Sequence, residues 1–222
     1  MNHVEKQIVG PLRENTYVVY NDDKQALIFD PGAQAEDLIE WIDDQGWQPQ
    51  AILLTHAHYD HIGALDALRD HYQVEVYLHE YEADFPTTPS LNLSAGTPFE
   101  LTTRPADHLW TMADMGRQTV GDFTFKLAFV PGHSPGHVIY YFPEDGFAIS
   151  GDTLFRRGIG RTDFDYGDQN ALDEGIAREL LTLPGETILY PGHLFKTTVE
   201  YELEISSAID HAKSIYYAKY AQ

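Results

Sequence analysis

At 222 residues the chain is long enough for one well-buried core, and a single domain over residues 1–222 is expected. Fourteen Lys and Arg against 35 Asp and Glu leave a formal charge of -21, a field that repels phosphate backbones and anionic bilayers, so neither nucleic acid nor a membrane is expected as a partner. The absence of cysteine removes disulfides, thiolate ligands and a Cys nucleophile together.

The first fourteen residues mix acids and bases without the apolar core of a signal peptide, and no apolar run reaches the roughly 18 residues of a membrane span, so a cytoplasmic location is expected. Short apolar runs predict strands at 15–20, 26–29, 51–54, 74–78, 122–130, 138–142, 147–150 and 187–190. Helical spacing predicts helices at 35–45, 62–72, 169–183 and 198–221, the last opened by a capping box of Thr197 and Glu200. The strands fall in two groups, each with helices. That order predicts an α/β protein in which two sheets pack face to face with helices outside, a four-layer αββα sandwich. Residues 85–115, with Pro86, Pro89, Pro98 and Pro105 and little periodicity, read as a loop reaching over the site.

The strand at 51–54 leads into Thr55-His56-Ala57-His58-Tyr59-Asp60-His61-Ile62-Gly63. His56, His58, Asp60 and His61 place four ligands of the type that a divalent ion prefers within six positions, and chance gives this pattern in only about 0.002 of shuffled chains. In an extended segment His56, His58 and Asp60 share one side while His61 faces another, which suits two ions better than one. Strand-to-helix loops are where open α/β sheets place their chemistry.

Three further candidates each follow a strand and a Gly turn: His133 in Val-Pro-Gly-His, Asp152 in Ser-Gly-Asp-Thr and His193 in Tyr-Pro-Gly-His. The remaining histidines, His3, His71, His79, His108, His137 and His211, read as structural or surface groups, with His137 close enough in sequence to orient His133.

On these motifs the chain resembles the metallo-β-lactamase-fold hydrolases, and within them the glyoxalase II group, most closely its small single-domain bacterial hydroxyacylglutathione hydrolase-like members. The resemblance implies that His56, His58 and His133 hold one metal, that Asp60, His61 and His193 hold a second, and that Asp152 bridges both. The cofactors implied are two divalent ions, zinc first, with iron or manganese as alternatives. Asp30, in Phe-Asp-Pro-Gly, matches a family turn beside the site and is a candidate support for the ligands.

Two cations sharing a water bring its pKa towards 7, so a metal-bridging hydroxide is expected as the nucleophile, with Asp60 and Asp152 as the catalytic carboxylates. A thiolate leaves with little proton donation, whereas an amine needs a proton, and the motifs hold no evident general acid; the expected substrate is therefore an anionic acyl thioester. A β-lactamase is disfavoured because Asp152 resembles a bridging ligand which those enzymes lack.

Arg156, Arg157 and Arg161 cluster after Asp152, and Arg161 aligns with a basic position that in glyoxalase II contacts glutathione; an ordinary surface pair with Asp163 or Asp165 is the alternative. Phe195 stands where glyoxalase II has a substrate-contacting Tyr, and only 29 residues follow His193, against a helical extension in that group. Arg161 and Phe195 are accordingly the expected substrate contacts, with the thiol unnamed. A monomer or homodimer is expected. The alternative is a mono-iron persulfide dioxygenase on the same fold, an oxidoreductase that would use His56, His133 and Asp152.

Overall fold

The computed structural model describes residues 1–221 in two compact units, the first made of 1–111 and 119–123 and the second of 112–118 and 124–221.

In the first unit, β1 (Asn2–Val9) and β2 (Glu14–Asn21) form an antiparallel hairpin closed by Gly10 and Arg13, both at positive φ, and β2 pairs antiparallel with β3 (Gln25–Phe29). From there β3, β4 (Gln48–Leu53), β5 (Glu75–His79) and β6 (His108–Trp110) run parallel, completing a six-stranded sheet in chain order. Parallel neighbours require crossover connections, which are usually helical. α1 (Ala35–Gln45) joins β3 to β4 and buries Leu38 and Ile42, one turn apart on the same face, before Gly46 ends it at φ 70°. Between β4 and β5 lie α2 (Tyr59–Ile62) and α3 (Leu65–Tyr72). Full burial of Ile28, Ile52, Leu65 and Leu68 contributes about 1.5–3 kcal/mol per side chain.

The second sheet runs in the order β14-β13-β10-β9-β8-β7, from strands β7 (Gly116–Val120), β8 (Phe123–Phe129), β9 (Val138–Phe142), β10 (Phe147–Gly151), β13 (Ile188–Pro191) and β14 (Thr197–Thr198). A small hairpin of β11 (Leu154–Phe155) and β12 (Gly158–Ile159) follows β10. β9 and β10 are buried along their whole length, Ser150 included. α4 (Gln169–Gly175), capped by Asp168 Oδ1 accepting from Ala171 N, continues into a π-helical turn over Ile176–Leu180, and Leu172, Ile176 and Leu180 line the core with Val130 and Leu189.

Several expectations need correction. The hairpin strand β1 is missing from the sequence reading, because an edge strand with half-buried polar positions has no apolar run. The helix expected over 62–72 starts earlier and breaks at Gly63 and Ala64, giving α2 and α3. The helix expected over 198–221 is two, α5 (Val199–Ile205) and α6 (Asp210–Lys219), because Ser206 turns extended at φ -78°, ψ 119°. Its cap is Thr198, whose Oγ1 accepts from Tyr201 N, while Thr197 Oγ1 donates instead to Glu202. No helix among the described residues is long and apolar enough to cross a membrane.

Candidate metal centre

Strand direction brings the candidate ligands of each unit to one edge. In the first unit Asp30, His56 and His79 stand at or just beyond the C-terminal ends of β3, β4 and β5, three strands that point the same way.

Asp30 is the pivot of this group. It sits at φ 48°, buried, with Oδ1 accepting from Thr55 N at 2.7 Å and Oδ2 accepting from Thr55 Oγ1 at 2.6 Å and from His61 Nδ1 at 3.1 Å. Since the Thr55 hydroxyl proton goes to Asp30, Thr55 Oγ1 accepts from His56 Nδ1 at 3.0 Å. One carboxylate therefore fixes the tautomers of two histidines, putting each ring's lone pair on Nε2. Asp30, His56 and His61 each offer a ligand-type atom within 4.8 Å of the others, all three buried.

His56 Nε2 lies 3.1 Å from His58 Nδ1, and His61 Nε2 lies 3.8 Å from Asp60 Oδ2. Behind them Glu14 is fully buried, accepts from Thr16 Oγ1 and comes within 3.9 Å of His61 Nδ1. Burial holds its carboxyl well above the usual carboxylate range, with the His61 imidazole pulling the other way.

Two partners of this loop carried no signal in the sequence. Glu82, fully buried, accepts from Ala57 N at 2.6 Å and so grips the peptide between His56 and His58. Tyr59 N, an amide that α2 cannot satisfy itself, donates to Asn92 O at 2.8 Å. The segment read as a loop thus ties directly to the ligand motif, and it is knitted internally: buried Asn92 Nδ2 donates to Phe85 O and Leu101 O.

In the second unit His133, Asp152 and His193 follow β8, β10 and β13, which share one direction, since β9 is antiparallel to β8 and β10 while β10 and β13 are parallel. The three converge on a single oxygen. Asp152 Oδ2 lies 3.5 Å from His133 Nε2 and 3.4 Å from His193 Nε2. His133 Nδ1 donates to the Arg161 carbonyl at 2.8 Å, which leaves its lone pair on Nε2, facing Asp152. Buried His137 supports Asp152 rather than His133, its Nε2 accepting from Asp152 N at 3.0 Å. Gly160 packs so tightly here that a Cβ would stand 1.9 Å from Asp152 O and 2.9 Å from His133 Nδ1.

The donor set fits divalent cations. Nitrogen or oxygen ligands about 2.0–2.1 Å from a tetrahedral ion are separated by about 3.3–3.4 Å from one another. The separations within each unit, 3.1 Å for His56 and His58 and 3.5 and 3.4 Å for the two histidines about Asp152, bracket that edge length.

The two expected substrate contacts are placed differently. Arg161 sends its guanidinium into a bidentate pair with Asp163 at 2.8 and 2.9 Å, over the Phe164 ring, and is largely exposed. Phe195 is 72% exposed, and Leu194 before it takes φ 67°. Of the remaining histidines, His3, His71, His108 and His211 face Asp22, Asp43, Glu75 and Asp173 respectively, and buried His79 caps the turn at Tyr81.

Two sheets carrying histidines and carboxylates beyond the C-terminal ends of co-directional strands define an α/β protein of metal-binding type, and likeness to known proteins makes it specific. Residues 9–193 match the metallo-β-lactamase superfamily, and the chain belongs to it and has its fold, the class expected from the sequence. It is 46% identical over 192 residues to a probable metallo-hydrolase, YqgX, of Bacillus subtilis, covering 86% of this chain and 90% of that protein. The hydroxyacylglutathione hydrolase GloC of Haemophilus influenzae is 35% identical over 197 residues, covering 87% and 92%. Among solved structures, BLEG-1, described as a B3 metallo-β-lactamase, superposes with a TM-score of 0.90 at 44% identity over 94% of this chain and all of that one. TTHA1623, solved in a di-iron-bound form, gives 0.81 at 36% identity over 91% and 98%.

Proposed function

We propose that this protein is a binuclear metal-dependent hydrolase acting on an acyl thioester. The observation that carries the reading is the shared Asp152 Oδ2, one ligand edge from both His133 and His193, the placement a bridging carboxylate needs. Following the family pattern, His56, His58 and His133 would hold one ion and Asp60, His61 and His193 the other. Zinc is the first assignment. Iron is supported by the di-iron form of TTHA1623, and the nitrogen and oxygen donors admit manganese as well.

When bound, the cations would supply an acidified water and a Lewis acid for the acyl oxygen. The chain's own work is positioning. Asp30, through Thr55 and directly, holds His56 and His61 in the ligating tautomer; the Arg161 carbonyl does the same for His133; His137 fixes the backbone of Asp152. Asp60 and Asp152 are the carboxylates that would orient the nucleophile. A thiolate, from a thiol of pKa about 8.5, leaves without a dedicated proton donor, which favours a thioester over an amide. GloC's name agrees with this substrate class. Arg161 and Phe195 are proposed to meet the substrate, Arg161 exchanging Asp163 for a substrate carboxylate.

The likeness to BLEG-1 favours a second reading, β-lactam hydrolysis. The test is metal analysis joined to a panel of acyl thioesters, a chromogenic β-lactam and a glutathione persulfide, with His58→Ala as control. Two metals per chain and thiol release that disappears in the variant support the thioester reading. Turnover of the β-lactam alone, or one iron with oxygen consumption as a persulfide dioxygenase requires, would overturn it.

A further inference from the structure

Arg156 and Lys196 together line a concavity of about 280 Å³ in the second unit, completed by Ile188, Thr197, Thr198 and Tyr201. Neither cation has a carboxylate within 4 Å among the described residues, although the chain holds 35 acids. Elsewhere in this unit Lys126, Arg161, Arg178, Lys213 and Lys219 each stand against Asp or Glu, while the exposed Arg117 and Arg157 do not. The nearby buried carboxylate, Glu202, is already engaged by Thr197 Oγ1 at 2.5 Å and Arg157 N at 3.0 Å, so it does not neutralise the pair.

Aromatic rings hold both cations instead. The Arg156 guanidinium lies 4.9 Å from the Tyr201 ring centre, and Lys196 Nζ lies 5.7 Å from that of Tyr190. A cation over a ring faces no neutralising counter-charge and keeps its hydrogen-bond donors for another partner.

None of the candidate metal ligands lines the concavity. Phe155, the last residue of β11, turns its ring to His193, with centroids 6.0 Å apart, while Arg156, in the turn that follows, faces Tyr201.

We propose that this concavity is an accessory binding site for a small organic anion, a carboxylate or a phosphate ester. The headgroup sits between Arg156 and Lys196, and the apolar body lies against Ile188 and the Thr198 methyl. The chemistry follows from the lining: two uncompensated cations at the rim, one of them a fork suited to a planar or tetrahedral oxyanion, above a mainly apolar floor. On a chain of charge -21 the long-range field opposes an anion, so binding depends on these two side chains. The site stands whether or not the thioester reading does.

Calorimetric titration of the metal-loaded protein with benzoate, phenyl phosphate and inorganic phosphate tests it, alongside R156Q/K196Q and Lys196→Arg. One equivalent of benzoate or phenyl phosphate should bind, more tightly than inorganic phosphate. The double variant should weaken that binding by about tenfold or more, and Lys196→Arg, which keeps the charge, should retain it. The two headgroup arms tell a carboxylate ligand from a phosphate ester. Both substituted side chains are exposed, so the fold is expected to survive, and an unchanged melting temperature checks this. No saturable binding, or binding that the double variant leaves intact as an anion on the metals would show, overturns the proposal.

Discussion

The backbone amide of Asp152 donates to Nε2 of His137 at 3.0 Å, so the buried imidazole acts as an acceptor and carries its proton on Nδ1. His137 thereby sets where Asp152 begins its side chain. Its replacement by alanine should lower metal affinity and thioester turnover by about 10–100-fold, the usual cost of losing a support behind a ligand. His137→Gln, whose side-chain oxygen can accept the same amide, should recover part of the loss. Metal titration separates this role from general destabilisation: equal metal affinity in the alanine variant and the wild type would count against it.

Gly160 meets the same ligands from the other side. A methyl group there would press on the Asp152 carbonyl and the His133 ring, both backed by packed structure, so the ligands must move. Displacements near 1 Å at a reacting centre cost about 100-fold in rate. Gly160→Ala should therefore fold but lose about that much activity, measured as kcat/KM on a thioester, with the loss in kcat. An alanine variant of wild-type rate would show that the turn after β12 yields easily.

Away from the site, Glu174 ties α6 to α4, accepting from Lys219 Nζ at 2.8 Å and Tyr220 Oη at 2.6 Å. These hydrogen bonds, Lys219 first, hold its carboxyl below the usual carboxylate range. A carboxyl depressed in the folded state contributes stability above its unfolded pKa, and that contribution is lost as pH falls through the folded value. Both partners are substantially exposed, so the effect is small. Glu174→Gln should lower the melting temperature at pH 7 by about 1–2 °C, and the difference should shrink as pH falls below the usual carboxylate range. A difference that grew in acid would contradict the ion pair.

What could be read from the sequence was what the chain writes locally. His56, His58, Asp60 and His61 lie within six positions, and His133, Asp152 and His193 each follow a strand and a glycine, so their type and spacing speak without the fold. Asp30 is legible as a turn residue and a candidate support for the ligands, though not as the group that fixes two imidazoles at once. Glu82 and His137 were illegible because each serves a backbone amide, 25 and 15 residues away, and an amide leaves no mark on residue identity. The break between α5 and α6 was hidden for a similar reason. No Gly or Pro marks it; the chain turns at Ser206, whose carbonyl accepts from Lys213 Nζ. Arg161 invited a substrate role by position, yet its guanidinium follows the nearest charge, Asp163 two residues on.

The bond from Tyr59 N to Asn92 O joins the first turn of a four-residue helix to a segment more than thirty residues downstream. Deuterium can reach that amide only when the two strands of chain part, so its exchange rate is a clock for that local opening rather than for helix fraying. If metal loading braces the motif, the clock should slow on adding the ion, giving a readout of occupancy that needs no substrate.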